Sequence, residues 1–169
     1  MTADKLFRAQ RFFVERVKRD CADGTTVQKE IIRHPGSVVI LPILDDNQVC
    51  LIHNFRMAVN QPLLELPAGT LEPGEAPLHC AERELTEETG YTAGKFEGLT
   101  SFLAAPGILD ERMHLYLATD LTAGQPDREA GEEIENVILP FEETLEFIRT
   151  GVIEDAKTIV GLFWYRQFC

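Results

Sequence analysis

No stretch of this chain approaches 18 consecutive apolar residues, so no transmembrane helix is expected. The opening MTADKLFRAQRFF also lacks the uninterrupted apolar segment that follows the basic residues of a secretory signal. A cytoplasmic location and no membrane partner are the expectations. Basic residues are scarce: 16 Lys and Arg stand against 28 Asp and Glu, for a net charge of −12. A phosphate backbone needs a basic surface, so a nucleic-acid partner is not expected, whereas a small anion complexed with metal remains open. Cys21, Cys50, Cys80 and Cys169 show no CxxC spacing, which argues for reduced thiols rather than disulfides or zinc. His34, His53, His79 and His114 are scattered and form no ligand motif. Repeats, low-complexity tracts and Ser/Gly linkers are missing as well, and 169 residues with 44% hydrophobic composition suit one domain with a proper core.

What the chain does have is GTLEPGEAPLHCAERELTEETGY, from Gly69 to Tyr91. Pro73-Gly74 reads as a turn, and Leu78, Ala81 and Leu85 fall on one face of a helix predicted over Pro77 to Thr89. Gly90 stops it. Glu84, Glu87 and Glu88 stand at i, i+3 and i+4, so their carboxylates share one face within a turn. Repulsion there, about 0.2 to 0.5 kcal/mol for the Glu84/Glu88 pair, is aggravated by the negative end of the helix dipole. Arg83 reaches Glu87 but cannot neutralise Glu75, Glu82, Glu84, Glu87 and Glu88 together. One reading is a solvated acidic face, the usual state of a charge run. The other is a hard divalent cation on carboxylate oxygens, Mg²⁺ first and Mn²⁺ second.

The spacing decides between them. Gly69, Glu75, Arg83, Glu84, Leu85, Glu87, Glu88 and Gly90 match glycine, five residues, glutamate, seven residues, then Arg-Glu-apolar-x-Glu-Glu-x-Gly, and this closely resembles the Nudix box. Eight positions at average usage match by chance on the order of 10⁻⁹ to 10⁻¹⁰ per start. Tyr91 departs from the aliphatic residue more usual after the last glycine, though an aromatic still packs there. The resemblance implies an α/β/α sandwich with a mixed sheet that hydrolyses a nucleoside diphosphate linked to another group. It implies that Glu84 and Glu88 bind metal, that Glu87 is a further ligand or supports one, that Arg83 orients them, and that the Ala68 carbonyl completes the ligand set.

Around the box, RFFVERVK from Arg11 to Lys18 and Thr26 to Arg33 alternate across an Ala22–Thr25 turn and read as an N-terminal hairpin. Residues 1–35 are expected to form this extension and residues 36–169 the hydrolase domain. Ser37 to Leu44 and Gln48 to Phe55 read as buried core strands, Lys95 to Leu103, Met113 to Thr119 and Asn136 to Leu139 as further strands, and Phe141 to Arg149 and Asp155 to Phe168 as helices.

Arg56 at a strand end and ELPAG before the box are similar to features of sugar-nucleotide members, which implies a phosphate contact for Arg56; Glu65 either holds that arginine or touches the metal site, with structural support ranked first. Pro106 lies sixteen residues after Gly90, a spacing similar to that of ADP-ribose pyrophosphatases. Glu111 ends that loop and is a candidate support of the site. In the resembling enzymes a glutamate from a loop near 124–135 acts as general base; Glu132 is first choice, with Glu129 and Glu133 as alternatives. Their exchanged N-terminal strands imply a homodimer in which Phe12 or Phe13 stacks on adenine while Glu30 and Arg33 make polar contacts to adenine or phosphate, in the partner's site; packing of Phe12 and Phe13 within their own subunit is the alternative.

The expected function is therefore metal-dependent hydrolysis of ADP-ribose to AMP and ribose 5-phosphate. Another nucleoside diphosphate sugar, an ADP- or GDP-sugar, is the alternative within enzymes. A non-catalytic ADP-ribose-binding module is the alternative outside them, and the intact carboxylate set argues against it.

Overall fold

A computed structural model describes residues 2–128 and 134–169. The expected N-terminal hairpin is present as β2 (Phe13–Asp20) and β3 (Thr26–Arg33), and an unexpected strand β1 (Thr2–Arg8) pairs with β2 to make a three-stranded antiparallel sheet in the order β1, β2, β3. β1 escapes sequence reading because TADKLFR has no apolar alternation; pairing along β2 is what extends it. The Arg16–Glu30 ion pair (2.9 Å) crosses from β2 to β3, where the two residues are in register. Leu6, Phe7 and Val27 remain 45%, 59% and 40% exposed, so this sheet buries little on its own.

The main sheet has seven strands. Its spine runs β10 (Ile134–Pro140), β5 (Gln48–Arg56), β4 (Ser37–Leu44), β9 (Arg112–Ala123), β8 (Tyr91–Leu103), while β6 (Gln61–Glu65) pairs with β5 and β7 (Ala68–Thr70) with β4. β4 and β9 are parallel and the other pairs antiparallel, as a mixed sheet requires. β4 is apolar from Val38 to Leu44 because both of its faces are covered. Val38 and Ile40 pack with Cys80, Ala81 and Leu85 of helix α1 (Pro77–Thr89). Val39 and Leu41 pack in the other core with Phe141 of α2 (Phe141–Thr150), Ile153, and Leu162 of α3 (Ala156–Phe168). At roughly 1.5–3 kcal/mol for each large apolar side chain buried, these two layers dominate the stability of the fold. The expected sandwich is present, and no helix among the described residues is long and apolar enough to cross a membrane.

β4 pairs with β5 only at Ile43 and Leu44, and at Ser37 to Val39 it pairs with β7 instead. The Leu66–Pro67 link enters where the two strands part, and the Ile40 N–H donates to the Pro67 carbonyl at 2.9 Å. That split brings Arg56, Glu65 and Ala68 to the C-terminal half of α1.

Helix α1 has the predicted span and ends on Gly90, which is left-handed (φ 79°) and donates to the Thr86 carbonyl. Its buried line differs from the prediction. Leu78 stays 39% exposed, while Cys80, at 0%, faces the sheet and donates its thiol to the Thr70 carbonyl at 3.7 Å. The same rotation buries Glu88 to 5% exposure. Among the aromatics at the end of α3, Trp164 and Tyr165 pack against the core beside Leu162, but Phe163 is 49% exposed.

All four cysteines are free thiols. Burial pushes Cys50 up to about 12; Cys80 also reaches about 12, with burial as the largest cause and Glu75 and Glu84 adding to it. Both therefore stay protonated at neutral pH and out of reach. Native protein is expected to expose two titratable thiols, Cys21 and Cys169, to a disulfide reagent, and four after unfolding. Rapid modification of all four in native protein would contradict the packing of α1 on β4.

Candidate active site

The last turns of α1 present Glu84, Glu87 and Glu88 beside β7. Glu88 Oε2 accepts the Ala68 backbone N–H at 3.0 Å, which ties the helix to the strand. Arg83 occupies the middle of the acidic face. Its Nε and Nη2 donate to the two oxygens of Glu75 at 2.9 and 3.1 Å, and its Nη1 donates to Glu84 (2.8 Å) and Glu87 (2.9 Å). The Arg83 hydrogen bonds hold Glu75 down at about 2 against its ordinary 4.5, and the carboxylates push Arg83 upward. Because the folded value is depressed, this pair stabilises the fold above about pH 4.5 and loses that contribution as pH falls through about 2.

One guanidinium serving three carboxylates leaves the face strongly negative once Glu88 is counted. Among the described residues, however, no three acidic, imidazole or thiol groups are arranged so that they could hold one metal ion together. The sequence expectation of convergence is met only on the helix face. Glu84 and Glu87 turn onto Arg83 and Glu88 onto Ala68, since like charges separate when a cationic side chain is within reach. The donor set still fits a hard divalent cation, being carboxylate oxygens with no imidazole or thiolate close by. Gly69 makes room for it: a Cβ there would lie 1.8 Å from Glu84 Cδ, so the carboxylate can approach the β7 backbone only because that atom is missing.

These groups line a cavity of about 670 Å³ together with Ala68 and Arg56. The N-terminal sheet and its turn supply Lys5, Arg8, Arg11, Phe12, Phe13 and Arg33 to the same cavity. Phe13 and Arg33 thus line the cavity of their own chain; the shared-site expectation put them in a partner's, with packing of the phenylalanines in their own subunit as its alternative. Lys5 Nζ sits 5.0 Å from the centroid of the Phe13 ring. Arg33 is braced by Glu15 (2.5 Å) and Asp110 (2.9 Å).

Three predicted substrate residues are not brought to the cavity of the single chain. Glu30 is exposed and paired with Arg16, three residues before Arg33 and so pointing to the other face of β3. Pro106 belongs to a tight turn closed by Ile108 N–H to the Ala105 carbonyl at 3.0 Å, and that turn clips onto β3 through Ile32 N–H to the Ile108 carbonyl at 2.8 Å. Glu111 accepts from Ser37 Oγ at 2.9 Å and faces His34 Nδ1 at 3.5 Å, so it braces the start of β4. Glu132, Glu129 and Glu133 lie outside the described residues.

Several residues here escaped sequence reading. Arg128 donates to the Glu88 carbonyl (3.0 Å) and to Asn136 Oδ1 (3.1 Å), and Asn136 donates to the Thr89 carbonyl (2.7 Å); together they satisfy the C-terminal carbonyls of α1. Behind Arg56, Glu65 is 1% exposed and accepts Arg56 Nε at 2.8 Å and Nη2 at 2.5 Å, as its expected supporting role requires. Lys157 joins it from α3. A lysine in a helix carries no local sign of burial, so nothing nearby in sequence marks it.

A family model described as NUDIX domain matches residues 33–160. The chain belongs to the NUDIX domain family. Its site residues from Arg33 to Glu88 all fall within the match. The chain is 37% identical over 142 residues to an ADP-ribose pyrophosphatase of Bacillus subtilis (strain 168), covering 83% of this chain and 77% of that one. It is 34% identical to a methanol dehydrogenase activator of Bacillus methanolicus, covering 94% and 90% of the two chains. With a GDP-mannose pyrophosphatase of Cronobacter sakazakii (strain ATCC BAA-894) it shares 33% identity over 94% of this chain and 90% of that one. Among solved structures, the crystal structure of an ADP compounds hydrolase superposes with a TM-score of 0.87 at 24% identity, over 99% of this NUDIX chain and 91% of that chain.

Proposed function

We propose that this NUDIX protein hydrolyses the pyrophosphate bond of ADP-ribose, giving AMP and ribose 5-phosphate. The observation that carries the reading is the composition of the cavity. In a chain of net charge −12, one hollow joins three box glutamates to Lys5, Arg8, Arg11, Arg33 and Arg56, with two phenylalanines beside them. Carboxylates suit the metal, guanidinium forks suit phosphate oxygens, and an aromatic face suits a base. The likeness to a relative named an ADP-ribose pyrophosphatase supports the choice of sugar and base.

Glu84, Glu87, Glu88 and the Ala68 carbonyl would hold a divalent cation, Mg²⁺ before Mn²⁺. When bound, such a cation neutralises charge between this face and the diphosphate and makes water easier to deprotonate. Arg83 keeps the Glu84 and Glu87 carboxylates in place. Arg56 orients the diphosphate, and Phe12 or Phe13 stacks on adenine. Water attacks one phosphorus, the bridging P–O bond breaks, and the water proton passes to a base, for which Glu132 is our assignment. Pro106 and Glu111 act through the loop that anchors β3 and β4. Residues 1–35 form an extension of one unit with residues 36–169. The exposed faces of that extension support a homodimer, with Glu30 available to the partner's side, and we assign the protein to the cytoplasm.

A GDP-sugar is the second reading, favoured by the likeness to the GDP-mannose pyrophosphatase. Turnover of ADP-ribose, ADP-glucose and GDP-mannose with Mg²⁺, on protein whose oligomeric state is read by sedimentation, tests both. The expectation is a dimer with kcat/KM for ADP-ribose at least about tenfold above the others, about 1.4 kcal/mol of discrimination. Preference for GDP-mannose establishes the second reading. Tight binding without turnover makes the protein a binding module, and an active monomer at micromolar concentration removes the dimer.

A further inference from the structure

We infer that Lys157, on the opposite side of the sheet from the box helix, is a positioning residue for the diphosphate, acting through Glu65 on Arg56; this rests on the proposed role of the cavity. Lys157 is 7% exposed, and its Nζ lies 2.5 Å from Glu65 Oε2 and 2.9 Å from Asp155 Oδ2. Glu65, 1% exposed, spends both oxygens on Arg56 and shares one of them with Lys157. The four side chains form a row of alternating sign, Asp155, Lys157, Glu65, Arg56, whose positive end lines the cavity.

Burying these charges is not an economical way to stabilise a fold. Desolvation of each ion costs several kcal/mol, and buried ion pairs are often no better than apolar packing. The row does, however, make a cation available at a fixed point. Glu65 engages Nε and Nη2 of Arg56, which leaves Nη1 as the nitrogen not committed to it. With Arg56 as its sole partner, Glu65 would cancel most of that guanidinium's attraction for an anion. A second cation on the same carboxylate oxygen draws its charge away and restores a positive field toward the cavity.

The anchorage of Lys157 is also rigid. Asp155 caps α3 by accepting the Thr158 N–H at 3.0 Å, and Thr158 Oγ1 donates to it at 2.6 Å. Thr158 Oγ1 in turn accepts the Leu66 N–H at 2.8 Å, two residues before Ala68 and the tie to Glu88. The start of α3 therefore sets both the arginine and the strand that flanks the box.

The test is a double-mutant cycle with Lys157→Met and Arg56→Lys on the nucleoside diphosphate sugar that wild type turns over. Lys157→Met is expected to raise KM about tenfold while kcat stays within about threefold. Added to Arg56→Lys, which already lacks the fork, it is expected to change KM by less than about twofold. An unchanged KM in Lys157→Met, or losses that multiply in the double variant, would overturn the assignment, because a merely structural lysine damages both backgrounds alike. If Lys157→Met does not fold, Lys157→Gln takes its place in the cycle with the same expected outcomes: it removes the same positive charge while keeping a polar head that can donate to Glu65. If wild type turns over no such substrate, the proposed function fails, and the same cycle is read on Kd for ADP, where additivity again sinks the role of Lys157 and coupling upholds it.

Discussion

Glu84→Gln and Glu88→Gln are each expected to lower kcat for ADP-ribose by at least about a hundredfold, about 2.7 kcal/mol of transition-state stabilisation. Both substitutions preserve shape. A glutamine at 88 still offers an oxygen to the Ala68 N–H, and one at 84 still accepts from Arg83. What disappears is one negative charge from the face proposed to hold the cation, and with it the like-charge repulsion between adjacent turns of α1. The melting temperature should accordingly hold or rise slightly in the absence of metal. Wild type is expected to gain stability from millimolar Mg²⁺ through preferential binding to the folded state, and each variant to lose most of that gain. Turnover within about tenfold of wild type in both variants would show that these carboxylates do not bind the metal. A melting temperature indifferent to Mg²⁺ and Mn²⁺ in wild type, with ADP present, would return the helix to the status of a solvated acidic face.

Gly69→Ala is expected to cost about ten- to a hundredfold in kcat/KM while leaving the fold nearly untouched. The new Cβ would stand 1.8 Å from Glu84 Cδ and 1.9 Å from its Oε1, so the carboxylate must move. No positive φ constrains Gly69, and the obstructing atoms are the far end of a flexible side chain, which swings aside cheaply. Its displacement moves a proposed metal ligand from its place rather than an element from the sheet. Gly74→Ala is the contrasting control. Gly74 has φ +82° with open space around it, so alanine there meets backbone strain of about 1–2 kcal/mol and no clash. That variant should melt a few degrees lower, at about 2–4 °C per kcal/mol for a domain of this size, and keep its activity. Full activity in Gly69→Ala would mean that Glu84 does not work from where it lies against β7.

The two substitutions separate what was legible in the residues from what was not. The proposed role of Glu84 follows from the spacing of the box, but the reason proposed for glycine at position 69 follows only from the distance to the Glu84 carboxylate. Arg56 and Glu65 were readable as a pair because they end adjacent runs and resemble a known arrangement. Lys157 was not, because its partner lies 92 residues away and lysine in a helix looks alike whether buried or solvated. Glu30 and Arg33 illustrate the same division within a single strand. Both belong to β3 and both carry charge, yet only Arg33 lines the cavity, because the loop through Asp110 fastens that end of the strand to the main body.

By itself the sequence determined the span of α1 from Pro77 to Thr89, its stop at Gly90, the two core strands from Ser37 and Gln48, and the box glutamates with Arg83. Each of these rests on interactions within a few residues: helical or strand period, a left-handed cap, charges one turn apart. Only the tertiary structure decided that Cys80 rather than Leu78 meets the sheet, that Glu88 is thereby buried, and that Thr2–Arg8 becomes a strand. It alone joined Asp155, Lys157, Glu65 and Arg56 into one row. Which face of a helix is covered, and which charge must find a partner away from water, depends on surfaces brought together by folding. Those surfaces come from segments far apart along the chain, and no local pattern encodes their meeting.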